Sequence, residues 1–380
     1  MQRTFLEFFA GGGMAREGLG SGWRCLFAND FDEAKASAYT ARWGERGRRP
    51  DELLVKDVNA VTIDDLPCER ADLAWASFPC QDLSLAGNGA GLSGDRSGSF
   101  MPFHALMQKL RLLGRAPRVI ALENVCGLLT SNDGQDFADI CRMLQLNGYM
   151  FGALVIDAVD FVPQSRPRLF IVAVDRELAP KDHGNPIGHW HTSRLQAAFR
   201  ALRADLKDDW CWFSPPRPER RNTRFADLLE HGPDDVPWHS PEETERLLGM
   251  MSAANRAKIE VAKASGTLQV GTVYKRTRVE GGTKYQRAEV RFDDVAGCLR
   301  TPGGGSSRQT IVAVEGDRVR SRLISARETA RLMGLPDEYP LPKRYNDAYH
   351  LTGDGVAVPV VRWLAEHVIE PVLSRQVVHA

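Results

Sequence analysis

The stretch TFLEFFAGGGM, residues 4–14, decides how this chain folds. Apolar and aromatic residues suited to a strand run directly into three consecutive glycines, and a helical pattern follows. Glycine at such a junction lets backbone approach a ligand closely and leaves the first N–H groups of the helix free. A ligand-free strand-to-helix turn would use the same residues, so the context has to decide. That context repeats: WRCLFAND (23–30), ADLAWASF (71–78), PRVIALEN (117–124), FGALVIDA (151–158) and RLFIVAVD (168–175) read as strands. Between them, FMPFHALMQKLRLLG (100–114) and GQDFADICRMLQLNG (134–148) carry helical apolar spacing and end at glycine. Such alternation predicts an α/β fold, a doubly wound, mostly parallel sheet with ligands at the carboxyl ends of its strands.

From about residue 176 the pattern changes. Prolines, tryptophans and charges crowd 180–240, and Ser240-Pro241-Glu242-Glu243 reads as a capping box opening a helix to about Ala264. Short β-like pieces with glycine turns follow (TLQVGTVYKRTRV, YQRAEVRF, RQTIVAVEG), then a helical RLISARETARLMGLP around 322–336. The end, GVAVPVVRWLAEHVIEPVLSR, reads as a strand or turn feeding a helix that returns to the first domain. The expected organisation is therefore a domain over 1–176, completed by 346–380, and a smaller, irregular domain over 177–345. No internal repeat or long low-complexity segment is present.

Composition narrows the class. At 43% hydrophobic and 26% charged residues, the chain reads as a globular protein with ample core. No stretch approaches the roughly 20 apolar residues of a membrane span, and the start MQRTFLEFFAGGG lacks a signal-peptide pattern. Seven cysteines without paired spacing suggest reduced thiols in a cytoplasmic setting, and none has zinc-site spacing, so no metal is expected. The net charge is zero, so any basic, nucleic-acid-facing surface must be local.

Three motifs at predicted strand ends carry chemistry: FPCQDLS (78–84), ALENVCG (121–127) and PQSRPRLF (163–170). Most cysteines are buried structural residues. Cys80, however, follows Pro79, is flanked by polar Gln81 and Ser84, and opens AGNGAGLSGDRSGS (86–99), a loop too rich in glycine to be core and suited to a lid over substrate. A thiol, the Glu123 carboxyl and the Arg166 and Arg168 guanidinium groups are what is needed to attack a pyrimidine ring, protonate it and hold it. On the other side, Asp30 ends the second strand, where it could accept from ribose hydroxyls, and Asp57 in KDV could meet an adenine amino group. The glycines fail as a dinucleotide fingerprint, because the third glycine position is Arg16.

In this order, from residue 5 to about 361, the set resembles the DNA (cytosine-5) methyltransferases of prokaryotic restriction–modification or orphan type. The resemblance implies a Rossmann-like S-adenosylmethionine-dependent methyltransferase domain beside a target-recognition domain that reads double-stranded DNA. It assigns the cofactor to Phe9, Ala10, Gly11, Gly13, Asp30, Phe31, Asp57, Val58, Pro79, Phe100, Asp354 and Val356. Catalysis falls to Cys80 as nucleophile toward carbon 6 of cytosine, Glu123 on ring nitrogen 3 with its carboxyl pKa tuned upward, and Arg168 on the exocyclic oxygen. Gln81 belongs to the same site, Asn124 orients the cysteine loop, and Arg166 holds Glu123 or nearby backbone. Two family positions differ: Met14 stands for the last glycine of FAGxGG, and Asp354 for the usual asparagine of the last motif.

The segment between PQSRPR and RLISARETARLMGLP is the one that reads DNA in this family. Residues 271–310 carry eight Lys/Arg against four acids. Within them, Tyr274, Lys275, Arg276, Arg278, Arg300, Ser306 and Arg308, together with Ser84 and Arg96, are the expected DNA contacts. A monomer on DNA, with a possible cognate restriction endonuclease encoded elsewhere, completes the expectation, in a bacterial cytoplasm at the nucleoid. A tRNA methyltransferase of the same fold usually carries a CFT tripeptide, absent here. A catalytically silent DNA-binding protein would not need Cys80, Glu123 and Arg168 together. A nicotinamide-linked oxidoreductase leaves the PCQ, ENV and RxR motifs unexplained.

Overall fold

A computed structural model describes residues 2–44, 52–79, 100–180, 182–280, 282–300 and 308–375. Of the expected site residues, Cys80, Gln81, Ser84, Arg96 and Ser306 lie outside the described residues. The chain divides into two compact units, one of 1–157, 167–218 and 356–380 and one of 158–166 and 219–355.

The first unit is built on seven strands: β1 (Arg3–Phe8), β2 (Trp23–Asp30), β3 (Leu53–Val55), β4 (Leu73–Ala76), β5 (Val119–Val125), β6 (Tyr149–Asp157) and β7 (Pro167–Asp175). Their order across the sheet is β3-β2-β1-β4-β5-β7-β6, as an α/β doubly wound architecture requires. All neighbours through β5 are parallel, whereas β7 runs antiparallel to both β5 and β6. The central strands are buried along their length, which is why they read as continuous apolar runs rather than alternating ones. Helices Phe100–Leu112 and Gln135–Leu146 lie where the apolar spacing placed them. Strand β3 has three residues, too few to carry a pattern of its own.

One segment joins this unit beyond the expected boundaries, and the chain's end returns to it. Residues 182–218 belong to it rather than to the second domain, because Trp210, Leu195, Leu202 and Leu206 enter its core beside Phe137 and Phe151. Backbone bonds Phe151 N to Asp209 O and Cys211 N to Phe151 O lay this segment along β6. A Cβ at Gly152 would fall 1.8 Å from Cys211 O, so only glycine permits the crossing. The C-terminal helix Val358–Leu364 packs on the helix Met14–Leu19, where a Cβ on Gly18 would sit 2.5 Å from Val361 Cβ.

The second unit contains β8 (Gln269–Glu280), β9 (Thr283–Arg291), β10 (Thr310–Glu315) and β11 (Arg318–Leu323) in the antiparallel order β11-β10-β8-β9. The Ser240–Glu243 capping box forms, but its helix stops at Gly249, and Ser252 caps a new one, Ala253–Ala264. Leu247, Met251, Ile259 and Ala262 pack against Val273, Ala288, Val290 and Val312 of the sheet. Ser325 and Glu328 form the capping box of helix Ala326–Leu332, and a buried ion pair from Arg322 Nη2 to Glu328 Oε1 at 2.6 Å holds that glutamate. The loop 158–166 is stitched into this unit, since Ser165 N donates to Ala296 O and Gln164 Nε2 to Leu332 O. Residues 346–355 also fall here, as the helix Tyr345–Asp354, rather than in the first unit.

Candidate active site

The carboxyl edge of the parallel strands gathers the chemistry of the first unit. Strand β5 ends in Glu123, Asn124 and Val125, and β7 starts beside it with Val125 opposite Arg168 and Glu123 opposite Phe170. The expected third strand end is therefore a strand start, and the reversal of β7 is what brings Arg168 to this edge. With a side-chain period of two, Glu123, Val125, Arg168 and Phe170 share one face, leaving Glu123 and Arg168 diagonal neighbours. Arg168 Nε lies 3.1 Å from Glu123 Oε1, with both side chains largely buried. Asn124 Nδ2 donates to Phe78 O at 3.0 Å, and its Oδ1 accepts from Val125 N at 2.8 Å. The amide thus grips the backbone two residues before Cys80.

The two arginines of PQSRPR divide their work. Arg166 belongs to the second unit, where it is buried and donates to three carbonyls: Leu299 O at 3.0 Å, Gly353 O at 2.8 Å and Gly355 O at 2.7 Å. The last two flank Asp354, which is itself exposed at the end of its helix. Arg168, expected on the exocyclic oxygen, is paired with Glu123, and Arg166, expected to hold Glu123 or nearby backbone, fastens the backbone on either side of Asp354. Gln164 is fully buried and accepts from Leu299 N.

The glycine turn after β1 is left-handed at Phe9 (φ 57°), Gly11 (φ 55°) and Gly13 (φ 78°). A side chain on Gly13 would strike the Tyr39 ring at 2.8 Å, whereas over Gly11 the first atom met is Lys35 Cδ at 3.9 Å, which leaves room above that backbone. Asp30 staples the turn to β2, its Oδ2 accepting from Gly11 N at 2.7 Å and its Oδ1 from Asp32 N at 2.9 Å. Each carboxylate oxygen keeps a second lone pair for a hydroxyl. Phe31 presents its ring to solvent at 68% exposure, Asp57 and Pro79 are exposed, and Ala10 is buried. Val58 and Phe100 lie in the core, with Phe100 5.1 Å from the Phe78 ring, and Val356 is buried. An open glycine backbone, acceptor carboxylates at two strand ends and a bare aromatic face fit an adenosine with a charged tail.

Sequence reasoning passed over the buried group behind this turn. Glu7 in β1 is 1% exposed and accepts from Arg16 N, and burial pushes its carboxyl up to about 8. Arg16 is buried as well, donating to Tyr39 Oη at 2.7 Å, pairing with Glu52 at 3.0 Å and stacking over Trp43. A lone carboxylate among the phenylalanines of FLEFF was the signal that could have found it. Asn29 was also missed, and its Nδ2 bonds to Leu54 O and Lys56 O tie β3 to the edge.

In the second unit, Tyr274, Lys275, Arg276 and Arg278 lie on β8, and Arg300 is exposed. Arg308 is half-buried against its own unit, with Nη2 on Asn346 and its guanidinium over Tyr345. Among the described residues no cluster of His, Cys, Asp or Glu could hold a metal ion, and no helix is long and apolar enough to cross a membrane.

Sheet order, glycine turn and carboxylate-bearing strand ends define a methyltransferase of the S-adenosylmethionine-dependent, doubly wound class. The model of the family "C-5 cytosine-specific DNA methylase" matches residues 3–370, and the chain belongs to that family. It is a DNA (cytosine-5) methyltransferase with S-adenosylmethionine as methyl donor. The chain is 26% identical over 364 residues to the type II methyltransferase M.BsuFI of Bacillus subtilis, covering 95% of this chain and 71% of that one. With M.HhaI of Haemophilus parahaemolyticus it shares 26% over 367 residues, covering 96% and 93%. Among solved structures, the Dnmt2 methyltransferase of S. pombe superposes with a TM-score of 0.57 at 18% identity, covering 99% and 100%. Spodoptera frugiperda DNMT2 gives 0.61 at 16%, covering 96% and 98%. At these identities the structural likeness speaks for the fold.

Proposed function

We propose that the protein methylates carbon 5 of a cytosine flipped out of a specific double-stranded DNA sequence, through a covalent bond between Cys80 and carbon 6. The observation that carries this reading is the Glu123–Arg168 pair at the edge where Asn124 holds the backbone entering Cys80. A cytosine inside a duplex hides carbon 6, so the base must leave the stack, at a cost of a few kcal/mol. Thiolate addition builds negative charge on the ring, and Glu123 relieves it by protonating nitrogen 3. Arg168 binds the exocyclic oxygen while fixing the Glu123 carboxyl. Addition makes carbon 5 nucleophilic, and S-adenosylmethionine supplies an electrophilic methyl on sulfonium. The carbon 5 proton then passes to water, nitrogen 3 gives its proton back, and the carbon 6–sulfur bond breaks to release the Cys80 thiolate.

Asp30, the Gly11 and Gly13 turn, Phe31 and Asp57 would hold the donor. Asp30 presents acceptors to ribose, Phe31 lies against adenine, and Asp57 meets its amino group. Residues 177–345 include the DNA-reading part, with its contacts on β8. We further place the protein as a monomer on DNA in a bacterial cytoplasm, with a cognate endonuclease as a possible counterpart. Duplex DNA carrying 5-fluorocytosine tests the mechanism, because fluorine cannot leave carbon 5 as a cation and elimination stalls. With S-adenosylmethionine present, a denaturant-stable protein–DNA adduct is expected, and Cys80→Ala should not form it. An adduct that forms equally without Cys80 would refute the assignment.

A further inference from the structure

Among the described residues, strand β8 is paired with β10 as far as Val273, and its ladder with β9 continues to the Glu280–Thr283 pair. Residues 274–279 and 284–289 therefore form a two-stranded ribbon extending past the sheet. Residues 274–291 carry six Lys/Arg against two acids in a chain of zero net charge. The register sorts them onto two faces. One holds Tyr274, Arg276 and Arg278 of β8 opposite Glu289, Arg287 and Tyr285 of β9. The other carries Lys275 and Lys284, which lie four ladder pairs apart on opposite strands.

On the arginine face, Arg276 and Arg287 stand directly opposite one another, a like-charge pairing that costs stability in a ribbon and favours an anionic ligand. Glu289 supplies part of the compensation, lying 2.6 Å from Arg278 Nη2 and 3.6 Å from Arg276 Nε. Tyr274 supports Arg276 from below, its ring 4.6 Å from the guanidinium carbon. These contacts tie both guanidinium groups to this face, while the two side chains stay 47% and 49% exposed. A two-stranded ribbon fits the roughly 12 Å width of the DNA major groove. Same-face neighbours on a strand are about 6.7 Å apart, which equals two base-pair rises of about 3.4 Å.

We propose that Arg276 and Arg278 enter the major groove as base readers, each donating to O6 and N7 of a guanine, the two guanines lying two base pairs apart. Glu289 is a positioning residue that sets both forks, and Lys275 and Lys284 face phosphates. This rests on the DNA-modifying function proposed above and deepens it.

The full chain with S-adenosylmethionine is given a duplex library with a randomised segment, and methylated cytosines are mapped by bisulfite sequencing. The wild type should select a motif containing two guanines at that spacing. Arg278→Ala should lose about 5- to 150-fold of the preference at one of them and Arg276→Ala at the other. Glu289→Gln should weaken both preferences, an effect a merely structural role would not confine to these two positions. Lys275→Ala should weaken binding evenly over sequences and lower the salt slope of binding by about 1. Arginine variants that methylate with unaltered base preference would overturn the ribbon inference and leave the methyltransferase reading standing. A wild type that binds S-adenosylmethionine and yields no methylcytosine on any duplex would overturn both.

Discussion

The edge at β5 and β7 and the ribbon of β8 and β9 both set arginine beside glutamate, and they do so in opposite surroundings. Arg168 and Glu123 are 15% and 8% exposed and held on a shared face by strand register, next to an amide that grips the chain leading to Cys80. Arg276 and Arg278 meet Glu289 in water, where an ion pair is worth about 0–1 kcal/mol and salt screens it. Chemistry at one cytosine needs groups fixed before the substrate arrives, because preorganised charge costs no reorganisation during reaction. Reading a duplex needs forks that can exchange a weak internal partner for a base. The contrast teaches that fixed geometry and transferable hydrogen bonds are separate devices, built here on different kinds of sheet.

If that division holds, damage at the edge should destroy turnover and damage in the ribbon should redirect it. Cys80→Ser should cost the most, at least about 10⁴-fold in rate, because no other group replaces a lost nucleophile. S-adenosylmethionine binding, read by calorimetry, should survive. Glu123→Gln should lower single-turnover methylation by about 10²- to 10⁴-fold with DNA affinity retained. A variant with near-normal turnover would end the proton-transfer role.

Asp30→Ala removes the staple on Gly11 and should weaken S-adenosylmethionine binding by about 5- to 150-fold, from a loss of about 1–3 kcal/mol. DNA affinity without the donor should hardly change, and equal loss of both would contradict the ribose role. A last effect concerns stability rather than rate or binding. The unfolded chain releases the Glu7 proton near 4.5, whereas the folded one keeps it to about 8. This contribution is fully present below pH 4.5 and fades as pH rises toward 8, by up to about 1.4 kcal/mol per unit. Glu7→Gln should flatten that slope in urea denaturation at pH 5 and 8, and an unchanged slope would place the titration elsewhere.

The sequence made most of the first unit legible, because buried parallel strands write themselves as apolar runs and their ends as polar triplets. FLEFFAGGG, ALENV and RLFIVAVD appear as β1, β5 and β7 within a residue or two. Strand direction was not written there: nothing in RLFIVAVD says that β7 runs backwards, although that reversal puts Arg168 beside Glu123. Residues 182–218 looked irregular because their hold on the first unit comes from separated tryptophans and leucines meeting distant strands. The helix expected through Ala264 broke at Ser252, a capping residue in plain view. Arg166 could not be placed from its motif, since its partners are carbonyls more than 130 residues away. In the ribbon, the charges were legible and the alternation that sorts them onto two faces appeared only with the register.

The most direct test of the account is nucleoside mass spectrometry of plasmid DNA incubated with the protein and S-adenosylmethionine, beside Cys80→Ser. New 5-methylcytosine with the native chain and none with the variant is the predicted result. Equal 5-methylcytosine from both would contradict the covalent mechanism, and none from the native chain with donor binding intact would contradict the proposed DNA-modifying function itself.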